Sequence, residues 1–176
     1  MSKPPLPEAA VAMLHKPNPA VITTLRPDGQ PVSTATWYLW DDGRVLVNMD
    51  EGRKRLEHMR SDPRVALDVL DDSGWYTHLS ITGHVDEMQD DAHLADIDRL
   101  ARQYMGKPYP QRERRRISAW IAVDAGTAGV RSRTAASPAK RSGRSSVRGT
   151  RRAVRRGRSA GRPGCCLSAS DLADVP

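Results

Sequence analysis

The residues best suited to chemistry in this chain stand together at Asp50-Glu51-Gly52-Arg53-Lys54-Arg55. Val47 to Met49 reads as the end of a strand, Asp50 to Gly52 as a tight turn, and Arg53, Lys54 and Arg55 as three cations opening a short helix. A helix start leaves its first backbone N–H groups unpaired and carries the positive end of the macrodipole, so it attracts anions. Two guanidinium groups and an ammonium add the charge and donor geometry that a phosphate uses. A solvated cationic helix face has the same pattern, and spacing alone leaves both readings open.

Other chemistries find little footing. No Gly-x-Gly-x-x-Gly fingerprint is present, so a Rossmann nicotinamide site is not indicated, and no His-Glu-x-x-His pattern occurs. The two cysteines, Cys165 and Cys166, are adjacent and offer neither metal-ligand spacing nor a disulfide framework. The acidic pairs Asp41-Asp42, Asp71-Asp72 and Asp90-Asp91 fall in turns or at a helix start, where local hydrogen bonding explains them better than paired acid–base work does. No side chain stands out as a general acid, and solvent can deliver a proton.

The elements that must position the cations follow from the patterning. Residues 8–15 form a short apolar helix, read as a lid, which Pro17-Asn18-Pro19 ends. Ala20 to Leu25 is a strand rich in β-branched residues, and Pro27-Asp28-Gly29 turns it into a returning strand, Pro31 to Trp40. Asp41-Asp42-Gly43 makes a second hairpin into Arg44 to Met49, which leads to the cations. Their helix carries Leu56 and Met59 inward and stops at Asp62-Pro63. Arg64 to Asp71 is the fourth strand and Trp75 to Asp86 the fifth. A helix over residues 90–104 then shows Leu94, Ile97, Leu100, Ala101 and Tyr104 at helical spacing. A basic helical turn from Gln111 to Arg116 precedes the sixth strand, Ile117 to Val123. The expected fold is mainly β (α+β), a small barrel of about six antiparallel strands with two to four helices.

Charge divides the chain at Asp124. The formal net charge is +7, but residues 125–176 hold 12 Lys/Arg against 2 Asp/Glu, whereas residues 1–124 hold 16 against 19. The basic character therefore belongs to the tail, and the Arg53-Lys54-Arg55 run is a local concentration of positive charge in an acidic domain. The tail is Arg/Ala/Gly/Ser/Pro-rich with no aromatic residue, and is predicted to be disordered. Its cations would give only non-specific, salt-sensitive binding to nucleic acid. Its composition matches a GC-rich coding sequence read in a shifted frame. The first residues lack an apolar signal core, and no run approaches a membrane span, so a cytoplasmic protein is expected.

Several motifs in order carry a family likeness: Asn18 to Leu25, the Pro27-Asp28-Gly29-Gln30-Pro31 turn, Ser33 to Trp40, Gly52-Arg53-Lys54-Arg55-Leu56, and Asp62-Pro63-Arg64-Val65. Over about residues 5–124 the chain resembles the pyridoxamine-phosphate-oxidase-like flavin and deazaflavin proteins, whose fold is a split β-barrel. The Gly106-Lys107-Pro108-Tyr109-Pro110 segment resembles the branch that uses coenzyme F420. The resemblance implies a homodimer with cofactor clefts at the interface, and hydride transfer between reduced F420 and a small conjugated substrate. FMN is the alternative cofactor, and a non-catalytic carrier the alternative role. By the same resemblance Arg53, Lys54 and Arg55 hold the cofactor phosphate, and Asn48 contacts the phosphate or ribityl chain. Thr34, Ala35 and Thr36 lie along the tricyclic ring, and Trp75 is contributed across the interface or packs within it. His78 lies near a polar family position, although a hydrogen-bonded strand histidine accounts for it as well. The usual closing segment after the last strand is replaced here by the Arg-rich tail.

Overall fold

The computed structural model describes residues 1 and 3–129. In chain order the elements are α1 (Glu8–Leu14), β1 (Ala20–Leu25), β2 (Pro31–Thr36), β3 (Leu39–Asp41), β4 (Arg44–Asp50), α2 (Lys54–Ser61), β5 (Arg64–Leu70), β6 (His78–Asp90), α3 (Ala95–Met105) and β7 (Arg116–Gly129). All seven strands join one sheet in the order β2-β1-β5-β6-β7-β4-β3. Every neighbouring pair is antiparallel.

That order forces closure. The two edge strands, β2 and β3, are separated in sequence by Trp37 and Tyr38 alone. In a flat sheet, six spacings of about 4.8 Å would hold those edges roughly 29 Å apart. Three Cα steps reach about 11 Å at most. The sheet must curl until its edges meet, which makes a barrel split between β2 and β3.

Alternation along the strands fills the interior. Ala20 and Ile22 of β1, Val45, Val47 and Met49 of β4, Leu67 and Val69 of β5, and Ile117, Ala119 and Ile121 of β7 lie in one buried cluster. α1 adds Ala10, Met13 and Leu14 to it, and α2 adds Leu56 and Met59. Strand β4 is buried without a break from Val45 to Met49, and α3 packs on the two strands that flank it, β3 and β7. There Leu94, Ile97 and Leu100 pack with Trp37, Leu39 and Tyr109.

The hairpins form where the turn chemistry placed them. Gly29 adopts φ +82° while Asp28 accepts the backbone N–H of Gln30, and Asp42 and Gly43 both take positive φ. Five expectations are corrected. The Pro31–Trp40 strand is broken at Trp37–Tyr38, where the chain crosses between the barrel edges, so there are seven strands and not six. The strand expected from Trp75 begins at His78, because Asp71 and Thr77 close a hydrogen-bonded turn around Trp75, and it runs on to Asp90. The helix expected from residue 90 begins at Ala95: the Asp91 carboxylate captures the backbone N–H groups of Asp96 and Ile97 and sets the start there. No helix forms between Gln111 and Arg115. Finally, α1 is no lid, since its apolar residues are part of the main core.

β7 continues past Asp124 through residues 125–129, and the rest of the expected tail, with its reading-frame and nucleic-acid readings, lies outside the described residues. Among the described residues no helix is long and apolar enough to cross a membrane.

Strands β6 and β7 are long enough to bend through the barrel, and their pairing slips at Thr82/Gly83 and at Val85/Glu87. At the first slip a Cβ on Gly83 would collide with the backbone oxygen of Ala122, an atom that cannot swing away. Gly83→Ala is therefore expected to lower the unfolding free energy by about 1–3 kcal/mol, measured by urea unfolding. An unchanged midpoint would show that the bend does not depend on this close approach.

Candidate anion site between β4, α2 and β7

The site is organised by register. β4 and β7 pair so that Asp50 faces Arg116 and Asn48 faces Ser118. Beyond Asp50 the chain turns, with the Arg53 backbone N–H on the Asp50 carbonyl at 3.1 Å, and α2 starts at Lys54. The Asp50 carboxylate receives Arg116 Nη1 at 2.6 Å and Arg114 Nη1 at 3.3 Å, and Arg53 Nε lies 3.7 Å away. One carboxylate thus gathers arginines from the turn, from the preceding loop and from the last strand.

Arg55 differs from its neighbours. Its Nε and Nη1 are shut off from solvent and have no hydrogen-bond partner. Burial, with Arg53 and Arg116 nearby, pulls its pKa down to about 10, against a smaller opposing pull from Asp50. The side chain therefore keeps its charge at neutral pH while lacking the partners a buried cation requires. Lys54 is the opposite case: it pairs with Glu57 at 3.2 Å and its side chain is 81% exposed.

Asn48 lies behind the cluster. Its Nδ2 donates to Asp91 Oδ2 and to Ser118 Oγ, each at 3.0 Å, and its Oδ1 accepts from Arg116 Nε. Ser118 Oγ donates in turn to Asp96 Oδ2 at 2.7 Å. The face of the Arg116 guanidinium rests over the Tyr109 ring, 4.6 Å from its centroid. An aromatic group continues from there, with Tyr109 edge-on to Trp37 at 6.4 Å and Trp37 stacked on Tyr104 at 5.2 Å. Burial raises the Tyr104 phenol to about 12. At neutral pH it is a neutral hydroxyl and donates to the Asn18 carbonyl at 3.0 Å.

The structure brings together Asn48, Arg53 and Arg55 of the residues singled out from sequence, and adds Arg116 and Asp50. Arg116 escaped because residues 111–116 read as a helical turn; its place is set by the β4–β7 pairing, which no local spacing reveals. Thr34, Ala35 and Thr36 lie on the edge strand β2, opposite Ile22, Val21 and Ala20 of β1. Trp75 lies in the β5–β6 turn, 67% exposed and stacked on Tyr76 at 4.4 Å. The His78 ring lies over Gly129 on β7, where it would meet any added side chain. The acidic pairs have structural partners: Asp41 accepts from Arg99 and from the Trp120 indole, Asp71 from Ser73, and Asp91 holds the start of α3. Among the described residues no group of three His, Cys, Asp or Glu is placed to hold a metal.

Residues 6–130 match the family model for pyridoxamine 5'-phosphate oxidase, and the chain belongs to that family of flavin-type oxidoreductases. No curated protein matches it. Among solved structures it is similar to an F420 reductase, with 25% identity over 69% of this chain and 98% of that one and a TM-score of 0.63. General Stress Protein 26 from Bacillus anthracis shares the fold at 15% identity, covering 67% of this chain and 88% of that one, with a TM-score of 0.52. So does a conserved hypothetical protein from Mycobacterium tuberculosis, at 19% identity, 76% and 94% coverage, and a TM-score of 0.52.

The residues present fit a cofactor of this family at its phosphate. Arg55 is half-buried, its Nε and Nη1 have no acceptor, and two other arginines repel it, a setting that favours an anion beside it. Arg55→Met is therefore expected to raise the stability of the ligand-free protein by about 1 kcal/mol in urea unfolding, because it removes an uncompensated buried charge. A loss of similar size would mark Arg55 as a structural arginine.

Proposed function

We propose that the chain is an F420-dependent oxidoreductase that reduces a small conjugated substrate. The observation that carries this reading is the orphaned Arg55 guanidinium, flanked by Arg53 and Arg116 at the start of α2. The likeness to an F420 reductase, which spans nearly all of that protein, favours the deazaflavin over FMN. When bound, the cofactor supplies the hydride chemistry. The chain's own part is to grip the phosphate, fix the cofactor's position and keep the grip dry, so that charge-assisted hydrogen bonds act at low dielectric.

The working unit of this proposal is a homodimer. Strand β2 exposes Ser33, Thr34 and Ala35, none of them charged, and the stacked Trp75–Tyr76 pair is largely bare. A second copy covering these surfaces would bring Thr34, Ala35, Thr36 and Trp75 to the cofactor ring. A cytoplasmic location accords with a soluble cofactor and is part of the same proposal.

Fluorescence anisotropy with F420 and, separately, FMN tests the reading on the purified full chain. Micromolar or tighter binding of F420, with turnover of a conjugated acceptor, is expected. Binding of FMN alone would overturn the choice of cofactor, and binding without turnover of any acceptor would favour a carrier. Arg55→Ala should weaken binding by about 1.5–3 kcal/mol, the worth of charge-assisted contacts. Lys54→Ala should change it by less than about 1 kcal/mol, as for an exposed ion pair. Equal effects of the two substitutions would contradict the placement of the phosphate at Arg55.

A further inference from the structure

Arg116 is the one arginine among the described residues that is buried as a whole, with a side chain 7% exposed. It is held on three sides. Asn48 Oδ1 accepts from its Nε, Asp50 Oδ1 from its Nη1, and the Tyr109 ring covers one face. Nη2 is the donor nitrogen that this grip leaves for a ligand. Arg116 also lies close enough to Arg55 to push against its charge. That repulsion adds to the pull of this corner of the fold on an anion.

Asn48 is locked just as tightly. Both of its observed Nδ2 bonds point away from the cations, to Asp91 and Ser118. Flipping the amide would set its donors against the Arg116 Nε–H and its oxygen against the Asp91 carboxylate, so the orientation is dictated by chemistry. Asp91 is fixed in its turn by the backbone N–H groups of Asp96 and Ile97. An unbroken line of hydrogen bonds runs from the first turn of α3 through Asp91 and Asn48 to Arg116.

We propose that Arg116 is a second phosphate-gripping cation beside Arg55, and that Asn48 is its positioning residue and not a ligand contact. The inference rests on the reading of a phosphate site at Arg55. Arg116 arrives pre-oriented, so little rotamer freedom is lost when the anion binds. Asn48 contributes by holding Nε, which dictates where Nη2 is aimed.

Calorimetric titration with F420 and with FMN separates the roles in the unmodified chain, Arg55→Met, Arg116→Met, Asn48→Ala and the double variant Asn48→Ala/Arg116→Met. Arg116→Met is expected to weaken binding roughly ten- to a hundredfold. Asn48→Ala should weaken it severalfold alone and not at all in the Arg116→Met background, because a residue that acts through another has nothing left to position. Where a variant does not fold, Arg116→Lys and Asn48→Ser take its place, with the same pattern expected. An Asn48 effect of equal size in both backgrounds would show direct ligand contact and overturn the positioning role. Unweakened binding by Arg116→Met, with Arg55→Met impaired, would overturn this inference alone. Unweakened binding by Arg55→Met, or no binding of either cofactor by the unmodified chain, would remove the phosphate site on which it rests.

Discussion

Asp50 and the arginines around it set the terms for this structure. A cluster of guanidinium groups repels itself, and burying it raises the penalty, because water no longer screens the charges. A single carboxylate in contact with Arg53, Arg114 and Arg116 offsets much of that repulsion. It offsets little of it at Arg55, where the opposing charge of Asp50 is the smallest influence on the group. The residue left unsatisfied is the one an anion would complete. An unpaired buried charge costs stability, and on the proposed reading that cost leaves a site shaped in advance for an anion.

The rest of the fold serves that arrangement. Closure of the sheet through Trp37 and Tyr38 brings its two edges together and lets β4 be buried on both faces. On the inner face Val45, Val47 and Met49 fill the core. On the outer face Asn48 meets Asp91 at the start of α3, with Ser118 and Arg116 on β7. A polar network in such a place is stabilising only when fully paired. Here Asn48, Asp91, Ser118 and Arg116 are each paired, while Arg55 Nε and Nη1 nearby are buried without an acceptor.

The fold was legible to the extent that it is written locally. The turns at Asp28-Gly29 and Asp42-Gly43, the core face of β5 and the inward stripe of α3 follow from residue chemistry at fixed spacing. What local reading missed was set by contacts distant in sequence. The start of α3 is moved to Ala95 by a side chain four residues upstream. The break at Trp37 exists because the barrel must close. Of the site, the cations Arg53 and Arg55 were visible because they are consecutive with the turn that presents them. Arg116 was not, because it reaches them only through the pairing of β7 with β4. The inequality among three adjacent cations was equally hidden: Lys54 faces solvent while Arg55 turns inward.

The central claim of the proposal is that the Arg55 guanidinium pairs with a cofactor phosphate. Nitrogen-15 NMR of the arginine Nε–H groups tests it most directly, with the Arg55 signal assigned through its loss in Arg55→Lys. On titration with F420 the Arg55 Nε–H resonance should move downfield and its exchange with water should slow, in step with occupancy. Saturation of the protein with cofactor while that resonance stays where it was would contradict the account.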